Sequence, residues 1–225
     1  MPSATGTIAE RVATLRDRVE AATREAGREP GSVALLAVTK TQPREAVIEA
    51  LDAGLCDVGE NYVQEAQAKY TDLPPCTKHF IGHVQTNKAK AIVALFDVVQ
   101  SVDRLDAGLA LAKAGRSLGR MPRVLVQVNI SPTERFGASP AEAPALAARL
   151  RDEGLDVDGV MAIGPLEGDV EGAFETARAT FERVGGTTLS LGMSGDWERA
   201  IRHGSTMVRV GTAIFGPRAS REGDQ

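Results

Sequence analysis

Residues 33–41 read Val33-Ala34-Leu35-Leu36-Ala37-Val38-Thr39-Lys40-Thr41, an unbroken apolar run closed by Thr-Lys-Thr. The run predicts a buried strand and puts a primary amine where that strand ends. A lysine on a surface helix is a solvated point charge. One at the mouth of a buried strand can be partly withdrawn from water, the setting in which lysine captures an aldehyde as a Schiff base. The same position also suits a charged residue that only carries the chain back to solvent. Of six lysines, against twenty arginines, Lys40 is best placed to line a pocket. Lys69 and Lys113 fall in helical patterns, Lys88 and Lys90 open one, and Lys78 precedes a strand.

Outward from this segment, strand-like and helix-like stretches alternate to the end of the chain, the pattern of βα units around a parallel sheet. Eight strands are expected: Val33 to Val38, Cys56 to Gly59, His79 to Gly82, Val98 to Ser101, Val124 to Asn129, Asp158 to Ile163, Thr188 to Leu191 and Met207 to Val210. Between them, Ala46, Val47, Ala50 and Leu51 form one apolar helical face, and Leu105, Leu109 and Ala112 another. Ser139-Pro140-Ala141-Glu142 resembles a capping box, with Pro144 moving the true helix start toward Glu142. Ahead of the first strand, Ile8, Val12, Leu15 and Val19 mark an extra helix over about 7–27. The expectation is a single (β/α)8 TIM-type barrel over about 33–218, with a short disordered tail at 219–225. An open doubly wound sheet competes, but no GxGxxG follows the first strand.

A chain of 225 residues is long enough for one such domain with a sizeable core. Its net charge of -4 gives no basic footprint for nucleic acid or anionic membrane, which leaves a small molecule as the expected ligand. Cys56 and Cys76 are too few for a disulfide framework and read as reduced thiols. Histidines and cysteines are too scattered for a metal site. The N-terminus lacks the apolar core of a signal peptide, and no segment reaches the roughly 20 apolar residues needed to span a bilayer. A cytoplasmic protein is expected, and its charged helix faces suggest a monomer.

In a (β/α)8 barrel, ligands bind at the C-terminal strand ends, with phosphate commonly held after strands seven and eight. Both loops here have the composition for it. Leu191-Gly192-Met193-Ser194-Gly195-Asp196 leaves strand seven, and Val210-Gly211-Thr212-Ala213-Ile214-Phe215-Gly216 leaves strand eight. Small residues admit a close ligand, and helix-start N–H groups with the Ser194 and Thr212 hydroxyls offer donors, although the same residues also serve plain turns and caps. Arg209 interrupts an apolar strand, so its guanidinium needs an acceptor: a ligand's ring nitrogen or phosphate, or a carboxylate such as Glu60. Asn61 stands at a strand-to-helix junction as N-cap or ligand contact. His83 reads as an acid or base, or as a structural imidazole.

Taken in order, Lys40, Glu60-Asn61-Tyr62, His79-Phe80-Ile81-Gly82 with Gln85, Asn87 and Lys88, and Gly204 to Gly216 give the chain a resemblance to one family. From about residue 7 to residue 218 it resembles the YggS/PROSC pyridoxal phosphate homeostasis proteins, which are similar to the N-terminal barrel of alanine racemase and share its fold-type III arrangement. The resemblance implies pyridoxal 5′-phosphate as cofactor. It matches Lys40 to the lysine that holds it as an internal aldimine, and Ser194, Gly211 and Thr212 to the phosphate cradle, with Met193 beside them. Arg209 matches the arginine facing the pyridine nitrogen, and Asn61 a polar residue near the ring. Such an arginine discourages protonation of the ring nitrogen and makes a weaker electron sink, which suits storage. Arg135 stands where many relatives carry lysine, so an accessory cofactor role there is doubtful, since arginine forms no ordinary aldimine.

The implied function is to hold pyridoxal phosphate and serve its homeostasis, with apo-enzymes as recipients and no strong turnover. A racemase is the alternative. It needs a second acid or base opposite the lysine, and the only tyrosines are Tyr62 and Tyr70; Tyr62 reads as a packing residue. A Schiff-base aldolase is the third reading.

Overall fold

The computed structural model describes residues 6–133 and 135–216. Eight parallel strands close into a barrel in sequence order: β1 (Ala34–Val38), β2 (Asp57–Glu60), β3 (Thr77–Phe80), β4 (Val98–Val102), β5 (Arg123–Val128), β6 (Asp156–Ala162), β7 (Thr188–Ser190) and β8 (Met207–Val210). Closure is made by β1 against β8, with Leu36 in register with Arg209. The expected strand centres hold, but β3 starts and ends two residues before its sequence-based bounds. The reason is that Ile81 and Gly82 already turn into the loop above the barrel.

Helices α2 (Arg44–Asp52), α3 (Val63–Lys69), α4 (Ala89–Leu95), α5 (Leu105–Leu118), α6 (Ala143–Asp152), α7 (Val170–Val184), α8 (Trp197–Arg202) and α9 (Thr212–Phe215) follow the successive strands, and α4 is preceded by a 3-10 turn at Thr86–Lys88. Outward strand residues such as Val58, Phe80, Val99, Val160, Leu189 and Val208 merge with the helices' apolar faces into one core. On α5 the expected face is rotated: Leu109 is 37% exposed, whereas Leu111, Ala112 and Ala114 are buried. Gly108 lets α5 approach Leu150 of α6, which turns the helix so that Leu111 faces inward. Pro144 lies in the first turn of α6, where its missing N–H costs nothing.

The extra helix α1 (Ile8–Glu25) begins with a reciprocal capping box between Thr7 and Glu10. Val12, Leu15 and Val19 are buried, and the helix packs on α2, α8 and α9, beside the β8–β1 seam. Residues 219–225, expected to form a tail, lie outside the described residues.

Candidate cofactor site

The C-terminal strand ends surround a cavity of ≈ 200 Å³ whose wall contains Lys40, Asn61, Met193, Ser194, Arg209, Gly211 and Thr212. All seven residues singled out from the sequence therefore meet in one place. Val38, Ile81, Met161 and Ile163 complete the lining and give the polar groups an apolar setting.

Lys40 sits two residues beyond β1 and is half-buried. No described carboxylate forms an ion pair with its amine; the nearby acidic groups are engaged by Lys69 instead. Lys69 Nζ lies 2.6 Å from Glu60 Oε2 and 3.1 Å from Glu65 Oε2, and donates to Thr39 O at 2.6 Å. Thr41 N–H donates to Glu65 Oε2 at 2.8 Å, and Gln42 N–H to Thr39 O at 3.0 Å. These bonds hold Thr41 at φ 65, a conformation a β-branched residue adopts only when its surroundings impose it. The turn carrying Lys40 is thus anchored from below. Tyr70 Oη joins the same cluster 2.7 Å from Thr39 Oγ1, and burial pushes its hydroxyl well above the ordinary tyrosine range. Sequence reading gave Lys69 its helix but missed this role; the Glu65/Lys69 spacing of four was the available signal.

Glu60 also serves the second strand loop, since its Oε1 accepts from Asn61 N–H at 2.8 Å and from Tyr62 N–H at 3.3 Å. The duller alternative, Glu60 as counter-ion of Arg209, is not what forms. Gly82 packs so closely on Asn61 that an added Cβ would fall 2.0 Å from Asn61 O. Asn61 Oδ1 is buried without a hydrogen-bond partner, an orphan acceptor on the wall of the cavity.

Arg209 is buried within the barrel. One terminal nitrogen donates to Ser190 O and Ser190 Oγ, both at 2.7 Å, and the other to Ala162 O at 2.8 Å. Burial pulls its pKa down to about 10, opposed by Asp196, so the group stays charged near neutrality. A guanidinium has five N–H bonds; three go to the framework, and the rest remain for the cavity it lines.

Ser194 and Gly195 donate no backbone hydrogen bond to the described residues, while Met193 N–H is taken by Asp196 Oδ1 at 2.6 Å. Thr212 opens α9, so its N–H and that of Ala213 have no intrahelical acceptor. Gly192, at φ 93, lets the first loop lie against Trp197 and Ala200 of α8. Ser194 and Thr212, each with a hydroxyl and a backbone N–H without a recorded acceptor, line the cavity side by side with Gly211, a composition suited to an oxyanion.

Other candidates fall elsewhere. Tyr62 is 58% exposed and does not line the cavity, so the packing role expected for it is wrong: its strand has ended and its side chain stands in solvent. His83 is exposed and stacks on Phe136, with ring centroids 4.1 Å apart. Arg135 and Phe136 border a larger depression of ≈ 610 Å³ that meets the cavity at Ile163 but contains no amine. Among the described residues, no group of three His, Cys, Asp or Glu is disposed to hold a metal ion.

Comparison with known proteins shows what the chain is similar to. Residues 11–219 match the family model described as "Alanine racemase, N-terminal domain". The pyridoxal phosphate homeostasis protein of Pseudomonas aeruginosa is 44% identical over 94% of this chain and 96% of its own. The protein of that name from Escherichia coli is 40% identical over 94% and 97%. Among solved structures, PipY of Synechococcus elongatus with PLP bound superposes with a TM-score of 0.80 at 37% identity, covering 93% of this chain and 100% of PipY.

Proposed function

Because the chain belongs to the pyridoxal phosphate homeostasis proteins, built on the alanine racemase N-terminal barrel, we propose that it holds pyridoxal 5′-phosphate covalently at Lys40 and serves as a reservoir for it. The observation that carries this reading is the convergence of the Lys40 amine, the free donors after β7 and β8, and Arg209 on one cavity. The cavity fits the group in detail. Asn61 Oδ1 lacks the donor that a ring hydroxyl supplies. Arg209 keeps N–H bonds for a ring nitrogen, and the Ser194 and Thr212 loops offer the donors a phosphate requires.

When bound, pyridoxal phosphate supplies an aldehyde for the lysine and a conjugated ring that can draw electrons. Ser194, Gly211 and Thr212 bind and orient the phosphate, and Met193 closes that side. Arg209, being cationic, would donate to the ring nitrogen and disfavour a proton on it, which would favour retention over carbanion chemistry. A racemase would need a second acid or base opposite Lys40, and Tyr62, the tyrosine considered for that place, does not line the cavity.

In this reading the chain acts as one domain, a monomer in the cytoplasm that yields its cofactor to apo-enzymes. Cys56 and Cys76 are free thiols, as a reducing compartment would leave them. Absorption spectra of the purified protein, titrated with pyridoxal phosphate, test the proposal. The visible band of lysine-bound cofactor is expected in the wild type and absent in Lys40→Ala; an unchanged band in that variant overturns the assignment. Rapid α-proton exchange of alanine or serine would overturn the reservoir role in favour of a racemase.

A further inference from the structure

The interior of this barrel is more polar than packing requires. Residues pointing inward include His79 on β3, Gln100 on β4, Ser190 on β7 and Arg209 on β8, all buried. Burying so many polar groups is unfavourable unless each is paired, and here they pair with one another. Arg209 donates to Ser190 Oγ at 2.7 Å, and Ser190 Oγ to Gln100 Oε1 at 2.7 Å. Gln100 Nε2 lies 2.9 Å from His79 Nδ1, and His79 Nε2 lies 2.9 Å from Asp57 Oδ1. The second amide hydrogen of Gln100 points to Met207 Sδ at 3.2 Å.

The two ends force the direction of every link. A guanidinium only donates, so Ser190 Oγ accepts from it and spends its own proton on Gln100 Oε1. The Gln100 amide is thereby oriented with Nε2–H toward His79 Nδ1. That nitrogen then accepts, which puts the ring proton on Nε2, where the Asp57 carboxylate accepts it. The result is a one-way chain of donors from a buried cation to a carboxylate at the N-terminal rim of β2. Asp57 lies only two strands from Arg209, on the far side of Leu36, yet the path between them runs the other way around the interior. Hydrogen bonds aligned in this sense polarise one another and strengthen the whole.

We propose that Asp57 is a positioning residue for Arg209, acting through His79, Gln100 and Ser190. It fixes which N–H bonds of the guanidinium face the cavity. The inference deepens the proposed function and rests on it, since Arg209 is read as the partner of the cofactor's ring nitrogen. The sequence pattern alone conceals it, because the five residues lie on five strands spread over more than 150 positions.

Two measurements on the full chain test it. In ligand-free, ¹⁵N-histidine-labelled protein, His79 is expected as the Nε2–H tautomer; a proton on Nδ1 overturns the chain whatever the protein binds. In protein loaded with ¹⁵N-labelled pyridoxal phosphate, Asp57→Asn is expected to move the pyridine nitrogen resonance and weaken cofactor binding about threefold to tenfold. A wild-type resonance and affinity in that variant overturn the proposal. Should Asp57→Asn fail to fold, Ser190→Ala severs the chain beside Arg209 and is read in the same way. Wild-type protein that takes up no pyridoxal phosphate sinks the functional reading instead, and the tautomer then decides the chain by itself.

Discussion

Lys40 owes its setting to residues that never touch the cavity. Lys69 is buried between Glu60 and Glu65 and pins the carbonyl of Thr39, so the turn bearing Lys40 rests on a buried ion cluster. Removing one partner of such a cluster costs about 3–5 kcal/mol, far more than an exposed pair is worth. Tyr70 gives this cluster a measurable pH signature. Its hydroxyl is held above its ordinary value near 10, chiefly by desolvation and also by Glu60, while the hydrogen bond with Thr39 works the other way. Above that pH the unfolded chain has released the proton that the folded chain still holds, so stability falls as pH rises. Tyr70→Phe should therefore lose about 1 kcal/mol near neutrality, from the missing hydrogen bond, but show a shallower alkaline decline than the wild type. Urea denaturation across a pH series reads the difference, in which the contributions of Cys76 and Arg209 cancel.

At the scale of elements, the site is assembled from six strand ends and depends on how closely their loops pack. The β3 loop reaches Asn61 only because residue 82 has no side chain. Gly82→Ala would force the two loops apart, and overpacking of this kind costs about 1–3 kcal/mol. A fall in cofactor affinity alongside the lower melting temperature is expected, since Asn61 Oδ1 moves with its backbone. Spectroscopic titration with pyridoxal phosphate would show it, and unchanged affinity would mean that Asn61 is no contact. The element pattern itself was largely legible: six consecutive apolar residues at 33–38 permit little but a buried strand. Bounds at β3 and the facing of α5 were not, because a loop rising over a barrel and a glycine contact between helices leave no mark on periodicity.

At the scale of the molecule, α1 couples the barrel's seam to the Thr212 end of the cavity. Leu15 is buried beside Ala213, the residue after Thr212, and α1 packs on α8 and α9 together. Leu15→Ala should cost about 2–5 kcal/mol, measured by urea denaturation, and raise the cofactor dissociation constant as α9 loosens. If stability fell with the dissociation constant unmoved, α1 would be a purely structural cover.

Read residue by residue, the chain already shows that strands and helices alternate, that an amine closes the first strand and that small, hydroxyl-bearing loops follow the last two. These are properties of neighbouring residues, set by apolar periodicity and by the backbone freedom of glycine. Which acceptor Arg209 meets, which carboxylates pair with Lys69, and the path from Asp57 to Arg209 through the barrel's interior emerge with the closed barrel alone. Those partners are separated by tens of residues or more, and their choice follows from strand register and desolvation, which become defined once the sheet has closed.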